Sequence, residues 1–373
     1  KVLRAWSETP KRGTYLPDVK VWSHEIDFWG GDLQSTRGKL GYIEGLGADV
    51  LYLNPIHLAY TNHKYDALDY RELSPEFGTK QDLKALVDDA HAHGMKVVLD
   101  GVFNHMGRNA PIFQQAQKDP SSPWREFFVW GPQYPGGARI WRDAQNLVEM
   151  NLESPKVRDF EWGAPDSVVQ SYLAQGIDGW RLDVGYDIGM AYLSQLTQAA
   201  HARKPGSLVV GEIANYPKDW FPAVDGVIDF NLRLVILGLA NGDGDTRLGA
   251  RMLEKIIGDA GIEPMLKSWM MLDNHDTYRL ATSVPDAQRR KLRMVCDKLE
   301  LGPDDHVLEI GCGWGSFALT AAGECGARVT GITLSPAQAE LARSRVAAAG
   351  LADRVEIRLQ DFRELEGTFT KVA

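Results

Sequence analysis

Between Gly38 and Asp276, short apolar runs alternate with stretches of helical pattern. The runs are VLYLNPI (50–56), KVVLDGVFNH (96–105), GWRLDV (179–184), LVVGEI (208–213), GVIDFNL (226–232) and SWMMLDNHD (268–276). Runs this short and this apolar suit strands buried on both faces, and their alternation with helices requires a parallel sheet, closed or open. Helices are predicted over 79–94, 155–175, 189–203 and 247–259. Thr79 reads as an N-cap and Gly94 as a stop for the first of them. A polar stretch, about 106–150, interrupts the alternation and reads as a loop insertion, while residues 1–30 show no clear period. In parallel α/β folds the reactive groups sit at the C-terminal ends of strands. Asp100, Asp183, Glu212 and Asp276 all fall at such ends.

The 373 residues can bury a large core and hold two domains. A net charge of −9 argues against nucleic acid as the main partner, because phosphate binding wants a basic face. Eleven tryptophans in an acidic chain suit sugars, whose faces stack on rings and whose hydroxyls bond carboxylates. The three cysteines (Cys296, Cys312, Cys325) lack metal-type spacing and favour a reducing compartment, the cytoplasm. No apolar run is long enough to span a bilayer. The first residue is Lys1 and not Met, so a processed or cut N-terminus is expected and export stays open.

After Gly302 the pattern changes. Strands HVLEIG (306–311), ARVTGIT (327–333) and VEIRLQD (355–361) alternate with helices over 315–325 and 335–349. In VLEIGCGWG, Gly311, Gly313 and Gly315 lie between a strand and a helix, where glycines let the backbone approach a ligand. By itself this loop fits a dinucleotide, a methyl donor or a tight turn. Upstream, SVPDAQRRKLRMVCDKL (283–299) reads as an amphipathic helix, with Asp286 as cap and Leu292, Val295, Cys296 and Leu299 as one apolar stripe.

Glycosidic cleavage needs one carboxylate as nucleophile and one carboxylic acid as proton donor. Arg181 stands two residues from Asp183, on the same strand face, and Glu212 ends the next strand. Taken together, DGVFNH, GWRLDVGYD, GEIANYP and LDNHDT resemble, in order, the four signatures of the alpha-amylase family of glycoside hydrolases. LVEMNLESPKVRDF (147–160) resembles the additional signature of neopullulanases and cyclomaltodextrinases, and NHKYDALDY (62–70) the stretch whose tyrosine stacks under the cleaved sugar. The resemblance implies a retaining hydrolase of α-1,4-glucosidic bonds in maltodextrins or starch-like glucans, with no cofactor required. It implies Asp183 as nucleophile, Glu212 as general acid/base and Asp276 as the residue gripping the distorted sugar. Arg181 would keep Asp183 ionised, His105 and His275 would bond sugar hydroxyls, Tyr65 would stack, and Asp66 and Asn104 would support the site. In this subgroup a calcium often sits near GGDL, which would place it at Gly31 and Asp32, although the loop that supplies further ligands is absent.

The glycine-loop segment resembles the S-adenosylmethionine methyltransferases that make cyclopropane fatty acids, on KLRMVCDKLELGPDDHVLEIGCGWGSFAL, VTGITLSPAQ and VEIRLQDFREL. This implies Gly311, Gly313 and Trp314 lining the cofactor, Glu309 supporting the loop, Thr333 and Gln338 at the ribose and Asp361 near the adenine. The expected fold is α/β: an incomplete (β/α)8 TIM barrel over 1–285, with its second to seventh strands, then a partial Rossmann-like methyltransferase βαβαβ segment over 286–373. The lipid-binding half of the methyltransferase is absent. The readings are a glycosidase, a methyltransferase cofactor half, or an inactive chimera joined within 283–299. Strand 307–311 either fills the vacant eighth barrel position beside 268–274 or belongs to a separate three-stranded sheet, the second being favoured.

Overall fold

The apolar runs pair as a parallel sheet. The computed structural model describes residues 2–5, 7–242, 245–283 and 285–373, without the side chains of 281, 283 and 285–287. β1 (Val50–Leu53), β2 (Lys96–Gly101), β3 (Gly179–Leu182), β4 (Leu208–Gly211) and β5 (Gly226–Val227) lie in the order β5–β4–β3–β2–β1, every neighbouring pair parallel. Helices α1 (Lys80–Ala92), α2 (Val168–Ala174), α3 (Gly185–Ile188), α4 (Met190–Arg203), α5 (Phe230–Asn241) and α6 (Thr246–Ala260) intervene or follow. In α1 the sequence expectation holds in detail. The Thr79 hydroxyl accepts from Asp82 N–H, Asp82 Oδ2 accepts from Thr79 N–H, and Gly94 leaves the helix at φ +75°. Leu83, Leu86, Val87 and Ala90 form its buried face, in one core with Val97 and Leu99 of β2.

Several expected elements are shorter or different. The strand expected over 226–232 stops at Val227, because the Asp229 carboxylate accepts from Leu232 N–H (2.8 Å) and starts α5. Over 268–276 the sheet keeps one parallel bridge, Ile228 to Trp269. Beyond it, Asn274 Oδ1 accepts from Asp276 N–H (3.1 Å) and Thr277 Oγ1 from Asn274 N–H (3.0 Å). These short polar side chains offer the backbone a turn in place of a ladder. The expected helix 155–175 is broken into Pro155–Arg158, a π-turn over Asp159–Gly163, and α2, which Ser167 caps. Pro165 follows Ala164, and the residue before a proline is driven out of helical geometry. The 106–150 insertion is not plain loop. It holds a helix, Pro111–Lys118, and its ends form an antiparallel pair, His105–Gly107 with Leu147–Glu149. A second hairpin, His57–Ala59 with Ala67–Leu73, was not foreseen either.

Contacts divide the chain into two units, 1–235 with 247–271 and 236–246 with 272–373. Residues 272–285 thus group with the second unit, whereas the sequence reading placed them in the first part. In the second unit α7 (Pro285–Lys298) precedes β6 (His306–Ile310), α8 (Ser316–Cys325), β7 (Arg328–Thr333), α9 (Pro336–Ala348), β8 (Val355–Leu359) and β9 (Lys371–Val372). The strands are parallel in the order β8–β7–β6–β9. β6 therefore has β7 on one edge and β9 on the other, so it does not fill a vacant barrel position beside 268–274. The separate sheet has four strands and not three. Its core takes the predicted α7 stripe, with Cys296 buried and Leu292, Val295 and Leu299 packed against it. The Asp286 cap lies outside the described side chains. No described helix is long and apolar enough to cross a membrane.

Candidate active site

Asp100 on β2 and Arg181 on β3 are direct partners across the parallel pair, so their side chains emerge on the same side. Arg181 is 1% exposed. Its Nη1 donates to both Asp100 oxygens and to Asp183 Oδ1, each at 2.9 Å, and Nη2 lies 3.0 Å from Glu212 Oε2. One guanidinium at the C-terminal ends of β2, β3 and β4 therefore gathers three carboxylates. The turn after β3 supplies a further tether. Val184 adopts a left-handed conformation (φ +51°, ψ +40°), rare for a β-branched residue, and its N–H donates to Glu212 Oε2 at 3.0 Å. Gly185 follows because a Cβ there would stand 3.2 Å from the Glu212 carbonyl oxygen.

Burial alone would lower the Arg181 pKa, but Asp100, Glu212 and Asp183 more than reverse this, and the guanidinium stays charged. Asp183 behaves otherwise than expected. Burial and then Asp100 push its carboxyl well above the usual range, with Arg181 opposing. Arg181 does not simply hold Asp183 ionised, because it is shared among three acids. Asp100 also accepts from Tyr52 OH (2.5 Å) and Tyr65 OH (2.9 Å). Tyr65 is thus brought to the cluster by its hydroxyl. His105 is 1% exposed and its Nε2 lies 3.9 Å from Asp183 Oδ2. Burial pushes its pKa down to about 3, so it is neutral at neutral pH. Asn104 is buried beside it (Nδ2 to His105 Nδ1, 3.3 Å). Asp66 is fully buried and accepts from the Thr61 N–H and hydroxyl, and burial raises its pKa to about 6. These two bonds close the turn 61–66, which contains Tyr65.

Asp276 and His275 lie in the second unit, where His275 Nε2 is 3.2 Å from Asp276 Oδ2. Asp32 caps the helix Leu33–Arg37 by accepting from Ser35 N–H at 2.7 Å, next to Gly31 at φ +90°. Among the described residues no three His, Cys, Asp or Glu side chains gather as metal ligands. One carboxylate engaged as a helix cap does not fit the six to eight oxygens that calcium takes. The two hydrogen bonds from Arg181 to Asp100, Tyr52, the Val184 amide and Trp141, whose ring stacks on His105, are site features that no sequence spacing announces. Only Asp100 carried a signal, as a strand-end acid.

In the second unit a cleft of about 680 Å³ is lined by Gly311, Thr333, Gln338, Asp361 and Arg363 among others. Gly311, Gly313 and Gly315 all have positive φ (+81°, +52° and +77°), and space is open where a Cβ on the first two would stand. Thr333 Oγ1 donates to Gln338 Oε1 at 2.8 Å, and Arg363 pairs with Asp361 at 2.6 Å, lowering its carboxyl to about 2. Trp314 is half exposed and not among the lining residues. Glu309 is buried with Oε2 unpartnered among the described residues, and burial raises it to about 7.

Residues 7–301 match the alpha-amylase catalytic domain. The chain belongs to the alpha-amylase family. Within this family it is 31% identical to neopullulanase 2 of Thermoactinomyces vulgaris, over 72% of this chain and 48% of that protein. It is 30% identical to a Bacillus cyclomaltodextrinase over 72% of this chain and 49% of that one. The chain spans about half the length of the curated relatives it matches. Among solved structures it resembles a cyclic α-maltosyl-(1→6)-maltose hydrolase from Arthrobacter globiformis, with TM-score 0.68, 29% identity, and coverage of 78% of this chain and 64% of that one. The type III pullulan hydrolase from Thermococcus kodakarensis is similar at TM-score 0.67 and 27% identity, over 80% of this chain and 53% of that one. Residues 270–373 match mycolic acid cyclopropane synthetase, so this alpha-amylase family chain carries a C-terminal segment of a second family. The two matches overlap over 270–301, the stretch that contains α7.

Proposed function

We propose that the first unit carries the site of a retaining hydrolase of α-1,4-glucosidic bonds in maltodextrins. The observation that carries this reading is the gathering of Asp100, Asp183 and Glu212 on Arg181 at adjacent strand ends. Three acids against one base hold a formal charge of −2, a state in which one carboxyl keeps a proton readily while another remains ionised. Glu212, with a fifth of its side chain exposed, reaches an incoming sugar and gives the leaving oxygen its proton. The attacking form is the one in which the cluster's retained proton is on Glu212 and Asp183 is the carboxylate: Asp183 bonds C1 as the glycosidic C1–O bond breaks and the Glu212 proton passes to the leaving oxygen, and a water that gives a proton back to Glu212 then cleaves the Asp183–C1 bond. His105, a neutral hydrogen-bonding ring, bonds a hydroxyl, and Tyr65 provides an aromatic face beside it. The known relatives named neopullulanase and cyclomaltodextrinase support this substrate class. Release of reducing sugar from maltodextrin by the wild type, abolished in Asp183→Asn, is the expected result. Equal release by both proteins would refute it.

A second reading concerns the cleft of the second unit, proposed as a partial Rossmann-like methyltransferase segment that binds S-adenosylmethionine. The open space over Gly311 and Gly313 and the unpartnered Glu309 Oε2 support it. Thr333, Gln338 and Asp361 would hold the nucleoside, and the group when bound supplies an activated methyl. Calorimetry with S-adenosylmethionine tests this, and no heat at millimolar ligand would refute it. We place the junction of the two family segments near 285/286, within the overlap of the two matches, and the three free thiols in a reducing compartment, the cytoplasm.

A further inference from the structure

The 106–150 insertion meets the carboxylate cluster through Trp141. Its ring lies nearly parallel to the His105 imidazole, with centroids 5.6 Å and planes 28° apart. The indole N–H donates to Asp187 Oδ2 at 2.9 Å, and Asp187 belongs to α3, the turn that begins two residues after Asp183. Backbone bonds fix Trp141 in its loop, from its own N–H to Leu147 O and from Ala144 N–H to its carbonyl, both at 3.0 Å. The backbone of His105 is fixed as well, by pairing with Glu149. Its ring is held at one edge by a hydrogen bond to the Tyr65 backbone. Nε2 has no hydrogen-bond partner among the described residues, and Asn104 touches Nδ1 only at 3.3 Å. The terminal torsion of a histidine is broad, and a flat aromatic face stacked against the imidazole narrows it further than a hydrogen bond at one edge.

We propose that Trp141 is a positioning residue for glycosidic cleavage: anchored on Asp187, its indole sets the plane of His105, so that Nε2 faces Asp183 and the sugar hydroxyl held there. The inference rests on the glycosidase reading above. It assigns the insertion a task, because it carries the wall that orients a ring on β2's extension. It also links that ring to the turn that positions Asp183, through one hydrogen bond.

The test uses the full chain in two arms. In the first, histidine carrying ¹³C at Cε1 is incorporated, and the His105 signal is assigned by its loss in His105→Asn. The wild-type signal is expected upfield from the ring current of Trp141, to move toward the position of an unstacked histidine in Trp141→Ala, and to lie between in Trp141→Phe, which keeps a face but loses the bond to Asp187. An unmoved signal in Trp141→Ala would overturn the proposal. In the second arm, kcat/KM on maltodextrin is compared for Trp141→Ala, His105→Asn and the double variant. A misplaced group at this distance costs roughly a hundredfold. That loss is expected in the wild-type background and none of it in the His105→Asn background, because contacting residues are not additive. Equal losses in both backgrounds would mean that Trp141 touches the sugar or only supports the fold. If neither wild type nor Asp183→Asn releases sugar, the glycosidase reading fails, while the spectroscopic arm still decides whether Trp141 orients His105.

Discussion

Replacing Arg181 by methionine should destabilise the first unit in a pH-dependent way. The side chain is buried and bonds Asp100, Asp183 and Glu212 at 2.9–3.0 Å. Removing one partner of a buried ion pair costs about 3–5 kcal/mol. Three carboxylates lose their partner here, but the costs do not add, because stranded acids take up protons at about 1.4 kcal/mol per pH unit. About 4–5 kcal/mol is therefore expected at pH 8, against a total stability on the order of 5–15 kcal/mol. The sign follows from proton binding. Burial and Asp100 already raise the Asp183 carboxyl above its ordinary 3.8, and loss of Arg181 raises it further. The folded variant then binds more protons than the unfolded chain, so its stability falls as pH rises from that ordinary value through the folded one. Urea unfolding followed by tryptophan fluorescence at pH 5 and pH 8 measures this. The variant should lose clearly more at pH 8. A loss that is equal at both pH values, or below about 1 kcal/mol, would refute the reasoning, since the latter is the scale of an exposed pair.

Gly185→Ala should reduce kcat with little change in KM or in urea midpoint, because the new Cβ would press on the Glu212 carbonyl at 3.2 Å; an unchanged kcat would show that Glu212 is not positioned through this contact. Thr79→Ala should cost about 1 kcal/mol through loss of the α1 cap, read as a lower urea midpoint. Asp66 has its pKa raised from 3.8 to about 6 by burial, so the wild type loses stability as pH rises through that window. In Asp66→Asn that loss, about 3 kcal/mol over the window, should vanish from the pH dependence of unfolding.

The parts of this molecule written in local pattern were legible in the sequence. Thr79 with Asp82 marks a helix start, and Arg181 with Asp183 shares a strand face by spacing alone. The α7 stripe from Leu292 to Leu299 was equally plain. What was not legible depends on register between distant segments. Asp100 meets Arg181 because β2 and β3 pair in one register, and no spacing within either strand announces that. Trp141 reaches His105 because the two ends of the insertion pair antiparallel, inside a stretch whose polarity suggested plain loop. The expected strands at 226–232 and 268–276 failed for a different reason. Apolar character was read correctly, but Asp229, Asn274 and Thr277 bond their own backbone and end the ladder early. Arg181 two residues from Asp183 suggests a carboxylate held charged, and only the pairing of neighbouring strands puts Asp100 and Glu212 on the same guanidinium.

The strand order of the second unit sets a schedule for its synthesis. β6 leaves the ribosome before β7, β8 and β9, and it acquires its β7 neighbour within one helical crossover. Its other edge waits until residues 371–372 have been made, at the far end of two further strands. During that interval an apolar strand stands half-paired in the nascent chain, open to any other extended segment. Ribosome stalling between 359 and 371 should therefore be the moment at which this polypeptide is most readily captured by chaperones or lost to self-association.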